Sequence, residues 1–134
     1  MPNPFRPGTV YYADVPDTDV RDHESRNNPD KGPRPWSVLY CRQHARTGVI
    51  LAAPLYTKGD ESLASHLRCG SEDFDSDSSA LIQPSYIHLE QLRALDKTRL
   101  SIDTGPLGHM KKLAFQKVRA AMMGMFEPRL LPRR

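Results

Sequence analysis

The stretch K-G-P-R-P-W-S-V-L-Y, residues 31–40, sets an arginine between two prolines where an apolar run begins. Pro35 pushes Arg34 out of the helical region toward extended backbone, and Pro33 fixes its own φ just before it. A guanidinium held this way is either a positioned charge or a charged residue that fell on a turn. A second group with chemical capacity is His88 and Glu90, two positions apart in S-Y-I-H-L-E. On a strand that spacing puts both side chains on one face. There they would supply a proton donor and an acceptor near neutral pH; a lone strand histidine is as readily a plain surface residue. His44, His66 and His109 carry no comparable signal, and no cluster of His, Cys and Asp stands at metal spacing along the sequence. No metal or cofactor is expected.

The elements that must position these residues follow from composition and period. The chain has 134 residues, which is one domain with a single modest core. Gly8–Val15 reads as a first strand and residues 16–33, crowded with Pro, Asp, Asn and Gly, as a long mobile loop. Residues 35–42 and 49–56 read as two strands joined by the short polar turn Q-H-A-R-T-G, hence a hairpin. V-I-L-A-A lacks alternation, so both of its faces should be buried. S-H-L-R-C (65–69) is a further short strand, 74–79 a flexible acidic loop, and S-Y-I-H-L (85–89) another strand, with L-R-A-L and R-L-S-I near it. Beyond Gly105-Pro106 the apolar residues Met110, Ala114, Val118, Ala121, Met122 and Met125 recur at helical steps. This predicts a helix over about 107–126, ended by Pro128 and Pro132, whose methionines pack in the core. Trp36, Tyr11 and Tyr12 likewise suit core or dimer packing better than stacking on bases. The fold class expected is mainly β with a C-terminal helix: a small curled sheet or barrel over about 6–104, capped by that helix, with a basic tail at 127–134.

The charge balance, 19 basic against 16 acidic residues, is mild. Its distribution is uneven: seven Lys or Arg and one acid lie between Lys111 and Arg134, and six acids with only Arg68 between Asp60 and Asp77. One basic face could meet phosphates, or serve as a solvated helix face. Cys41 and Cys69 form no C-x-x-C pair, which fits reduced thiols and a cytoplasmic protein. M-P-N-P-F-R-P offers no apolar signal segment, and no run is long enough to span a bilayer.

Taken in order, G-x-V-x-x-x-D-V (8–15), G-x-R-P-x-x-V-L (32–39), V-I-x-A-A-P-L (49–55) and L-E-Q-L-R-A-L-D-K-T-R-L (89–100) resemble the PemK/MazF family, from about Arg6 to Met125. The resemblance implies an SH3-like barrel and a toxin of a toxin–antitoxin system. It further implies an endoribonuclease that cleaves single-stranded RNA without a metal, leaving 2′,3′-cyclic phosphate and 5′-OH ends. A homodimer and a cognate antitoxin covering the RNA groove are the implied partners. The family's motif arginine carries over to Arg34, which would stabilise the phosphorane with two donors at once. The family's Ser or Thr just after A-P-L falls on Tyr56 or on Thr57, with Thr57 favoured. Glu90 stands where many relatives have an aspartate, and His88 where one branch has an acid–base arginine. His23 lies where some relatives place a histidine; with Tyr56, Gln91 and Arg93 it is an implied RNA contact. The same fold also carries protein-binding gyrase poisons of the CcdB type, and a relative that binds RNA without cutting it is a further alternative.

Overall fold

The computed structural model describes residues 5–40, 48–75 and 84–126. The hairpin turn with Cys41 and His44, the tip of the acidic loop, and the tail with Pro128 and Pro132 lie outside the described residues. The elements are β1 (Thr9–Ala13), β2 (Arg34–Tyr40), β3 (Val49–Tyr56), β4 (His66–Cys69), β5 (Ser85–His88), β6 (Arg93–Asp96), β7 (Gly108–His109) and α1 (Lys112–Phe126). The strands pair in the order β4-β5-β3-β2-β1-β7, with β6 on β3, and every pairing is antiparallel.

β3 is the axis of this arrangement. One edge pairs with β2; the other pairs with β6 along Val49–Ala52 and then with β5 at Leu55 and Tyr56. Pro54, which has no N–H to give, sits where β3 passes from β6 to β5, the place in an interior strand where a missing donor costs least. Beyond β6, Leu100 bridges back to Ala13, and Asp14 N and Ser101 N donate to Arg99 O and Tyr12 O, both at 2.9 Å. That closes the curled sheet on β1.

Both faces of the sheet are covered, as the unbroken apolar run of β3 predicts. Ala13, Trp36, Val38, Ile50, Ala52 and Leu95 form one core. Val10, Leu39, Ala53, Leu55, Ile87 and Leu89 form a second, against Val118 of α1. Neighbouring residues of one strand thus feed opposite cores, following the period of two. Trp36 and Tyr11 are buried, whereas Tyr12 is exposed. Met122 and Met125 pack on the second core with Met110. Cys69 is buried and unpaired, and its burial, with Asp73 and Glu72 nearby, pushes the thiol up to about 12.

Three expectations are corrected. The helix begins at Lys112, not 107, because Gly108 and His109 pair with Val10 and Thr9 as β7. Residues 99–102 form no strand; a 3-10 turn at Lys97–Arg99, started by Asp96 accepting from Thr98 N, leads into the Leu100 bridge. The loop 16–33 is docked rather than free. Asn27 ties it to Val15 and Asp14, and Asp19 pairs with Arg99 at 2.6 Å.

Candidate active site

Arg34 opens β2, and its approach is built by the turn before it. Asn28 and Gly32 exchange backbone hydrogen bonds, the Asn28 carboxamide accepts from Asp30 N and Lys31 N, and Gly32 has φ +83°, a region open to glycine. The register Trp36↔Pro54, carried two residues toward the strand ends, sets Arg34 opposite Tyr56. The guanidinium carbon of Arg34 lies 3.9 Å from the Tyr56 ring centroid, and its Nε donates to Arg26 O at 3.2 Å. Arg34 and Tyr56, with Tyr12, Lys31 and Thr57, line a cleft of about 370 Å³.

The row continues across the sheet. Tyr56 pairs with Tyr86, so His88, two residues further along β5, is its diagonal neighbour on the same face. The His88 ring lies 4.3 Å from that of Tyr56. Because β2 and β5 pair with opposite edges of β3, the Tyr56 ring has the guanidinium as its neighbour from one strand and the imidazole from the other. In the β4–β5 register His66 faces His88, and their rings stack at 3.9 Å and 15°. Register thereby writes one line over four strands: Arg34, Tyr56, His88, His66.

Glu90 is not on the strand with His88. β5 ends at His88, and Glu90 belongs to a 3-10 turn, Leu89–Gln91, that buries Leu89 in the second core. Strand alternation therefore does not bring the pair together; the turn does, with Glu90 Oε1 4.0 Å from His88 Nδ1. The same oxygen bonds Nε2 of His66. Burial would raise the Glu90 carboxyl, but hydrogen bonds from His66 and Ser65 outweigh it and hold the group below its ordinary range. His88 is also held low, first by burial and then by the neighbouring His66 and Arg34, against a raising hydrogen bond to Lys58 O. His88 is thus neutral near pH 7.

The proton positions follow from the partners. Asp60 N donates to His66 Nδ1 at 2.9 Å, so in neutral His66 the hydrogen is on Nε2 and points at Glu90. Lys58 O only accepts, so at 2.8 Å it fixes the His88 hydrogen on Nε2 and leaves Nδ1 with a free lone pair. His66, His88 and Glu90 place one donor atom each within 4.8 Å of one another, a grouping the linear sequence hid. It suits a metal poorly: the Nε2 that would ligate carries the proton, and near-parallel stacked rings do not aim their lone pairs at one point.

Of the other residues singled out, Thr57 is exposed at the cleft, and Tyr56 is half-buried with its hydroxyl 2.5 Å from Ser25 Oγ. Both therefore border the cleft. Gln91 is engaged at both ends of its amide: Oε1 accepts from Ser25 N at 3.0 Å, and Nε2 donates to His23 O at 2.8 Å. His23 is exposed. Arg93 is half-buried, and its Nη1 is buried with no hydrogen-bond partner among the described residues. His66 is the residue that sequence reasoning misses, since only strand register gives it a place.

No curated protein matches the sequence closely enough to count as a relative. Solved structures do share the fold. An endoribonuclease from a mycobacterial species, in complex with its cognate antitoxin, superposes with a TM-score of 0.61 at 20% identity, covering 100% of both chains. The Mycobacterium tuberculosis toxin MazF-mt6 gives 0.59 at 16% identity over 89% of this chain and 96% of its own. MazF from Deinococcus radiodurans gives 0.61 at 18% identity over 90% and 94%. At such identities these likenesses speak for the fold, the mainly β barrel-like sheet with one C-terminal helix. The sequence itself carries the lineage further: over residues 6–126 it matches the model of the PemK-like, MazF-like toxins of type II toxin–antitoxin systems, and the chain belongs to that family.

Proposed function

We propose that this chain is a toxin endoribonuclease that cuts single-stranded RNA, mRNA included, without a metal, and that a cognate antitoxin protein neutralises it. The observation that carries the reading is Arg34, a guanidinium braced by Tyr56 and the Arg26 carbonyl at the edge of an open cleft. Family membership and a neighbour solved with its antitoxin support it.

In the reaction the ribose 2′-oxygen bonds to phosphorus while its proton passes to a base. The P–O5′ bond then breaks, and the 5′-oxygen takes up a proton. Arg34 stabilises the charge that gathers on the phosphorane; one such preorganised donor is worth about 2.7–4 kcal/mol. Thr57, exposed at the same cleft, gives its hydroxyl to a phosphate oxygen, while the Tyr56 ring serves as the wall against which Arg34 is set. His88 Nδ1 is the proton acceptor, and the imidazolium it forms has the Glu90 carboxylate 4.0 Å away. His23 and Arg93 meet the RNA around this centre, while Gln91 holds the loop beside it. The protein acts as a homodimer in the cytoplasm; among the described residues no helix is long and apolar enough to cross a membrane.

The deciding experiment is cleavage of a defined single-stranded RNA by purified protein, with EDTA present and absent, followed by end-group analysis. Cyclic phosphate and 5′-OH ends, unaffected by EDTA, are expected. Products ending in 3′-OH and 5′-phosphate, or activity lost with EDTA, overturn the mechanism; tight RNA binding without products makes the chain a binder. Sedimentation at micromolar concentration that shows only monomer mass overturns the dimer.

A further inference from the structure

The mechanism above gives no role to His66. His66 has no place in the family motif and no sequence signal, yet it sits at the end of the row that begins with Arg34. One of its faces and both of its nitrogens are occupied. Its ring stacks on His88 at 3.9 Å. Its Nδ1 accepts from Asp60 N at 2.9 Å. Its Nε2 bonds Glu90. Asp60 in turn caps its own turn, accepting from Ser62 N at 3.0 Å, so the N–H that fixes the His66 tautomer is itself held by local structure.

We propose that His66 is a positioning residue of this site, which holds the Glu90 carboxylate off His88 Nδ1 and so keeps that nitrogen free to take the substrate proton. The proposal rests on the endoribonuclease reading for its catalytic meaning, but the proton arrangement can be tested without it. Glu90 Oε1 has two imidazoles within reach. It bonds His66 directly and stands 4.0 Å from His88 Nδ1. Were His66 absent, the carboxylate would be free to close on His88 and bond a protonated Nδ1, which favours the imidazolium. A base already protonated at working pH is no base.

The charged or titratable groups facing His88 are Arg34 from β2, Tyr56 from β3, His66 from β4 and Glu90 from the turn after β5. Of these, Arg34 opposes its protonation and Glu90 favours it, while His66 opposes it only when itself charged. Removing a neutral His66 leaves Arg34 where it is and frees the one supporter, so the effect runs through Glu90.

The experiment is long-range proton–nitrogen NMR of the histidine rings in the full chain, joined to the pH profile of RNA cleavage. In wild type, His66 and His88 should both show the Nε2–H tautomer at neutral pH. In His66→Phe, which keeps a flat ring against His88 but cannot bond Glu90, His88 should titrate at higher pH, and the acidic limb of kcat should move up with it. At pH 6 the variant should cut several-fold more slowly than wild type, approaching about tenfold at lower pH for a one-unit shift, and recover most of the difference at pH 8. Affinity for an uncleavable 2′-deoxy oligonucleotide should hold within about twofold, since its phosphate contacts lie elsewhere. His66→Gln, which can still donate to Glu90, should keep the wild-type limb.

A wild-type His66 carrying its hydrogen on Nδ1 overturns the proposal, even if neither variant folds. A folded His66→Phe whose His88 titration and acidic limb do not move overturns it as well. If wild type cuts no RNA, the enzymatic reading fails, while the two tautomers and the His88 titration still decide the proton arrangement.

Discussion

Arg34 and Tyr56 meet across the ends of β2 and β3, the guanidinium carbon 3.9 Å from the centroid of the ring. The phenol does not drift from this contact, because Ser25 Oγ holds its hydroxyl at 2.5 Å. A cation set against an aromatic face has its place narrowed by that contact. Two prolines, a carbonyl and an aromatic face thus aim one side chain.

Arg34→Lys should therefore fail almost as badly as Arg34→Ala. Lysine keeps the charge but presents a point donor on a flexible stem, and it cannot make the two-pronged contact. Cleavage should fall about a hundredfold or more in both. Binding of a 2′-deoxy oligonucleotide should change far less, because many phosphate contacts share that affinity. Rates, affinities and melting temperatures for the three proteins make the comparison, and a lysine variant within about threefold of wild type would mean that Arg34 only attracts RNA.

The two residues after A-P-L should separate by the part of the side chain that matters. Thr57→Val keeps the shape and removes the hydroxyl proposed to meet phosphate, and should lower kcat by about tenfold or more. Tyr56→Phe keeps the ring that carries Arg34 and loses only the Ser25 bond, worth about 0.5–1.5 kcal/mol of stability. Its cleavage rate should stay within a few-fold of wild type. Reversed effects would give the phenol of Tyr56 the role assigned here to Thr57.

Much of this site is legible in the sequence, and the reason is local. Arg34 stands out because proline constrains its neighbours and because the apolar run behind it can only be a strand. The hairpin of β2 and β3 and the helix are equally plain, since each rests on a period within a few residues. Glu90 was within reach for the wrong reason: alternation predicts a shared strand face, whereas a 3-10 turn delivers the carboxylate. His66 was out of reach. It lies 22 positions before His88, and only the pairing of β4 with β5 sets the two rings together. The docking of loop 16–33 was hidden likewise, because its anchors, Gln91 and Arg99, are far along the chain.

Stability should fall on the acid side in two stages. The folded state holds His88 below its ordinary 6.5 and Glu90 below its ordinary 4.5. In both cases the unfolded chain binds the proton more readily, so stability is present above the unfolded value and is lost as pH falls toward the folded one. The melting temperature should begin to drop as pH falls through the middle sixes, by way of His88, and drop further below about pH 4.5, with Glu90 and the other carboxylates. His88→Asn should abolish the first stage and leave the second. A wild-type melting temperature flat from pH 7.5 to pH 5 would show that His88 gains no proton on unfolding.

Gln91 gives the last test, because its position invites two different roles. The family resemblance makes it an RNA contact, yet both ends of its amide hold the loop: Oε1 takes Ser25 N and Nε2 reaches His23 O. That clasp bears on catalysis, since Ser25 fixes the Tyr56 hydroxyl and the neighbouring Arg26 supplies the carbonyl that Arg34 bonds. Gln91→Met keeps the length of the side chain and removes both bonds, at a cost of about 1–3 kcal/mol for two lost hydrogen bonds. Amide exchange at Ser25 should quicken markedly while the strands stay protected, as expected where a segment opens locally. Cleavage should fall through kcat, with Arg34 less well aimed, and the affinity for 2′-deoxy RNA should scarcely change. Should the affinity fall instead, with Ser25 as well protected as before, Gln91 works by touching RNA and the loop is held by its other anchors.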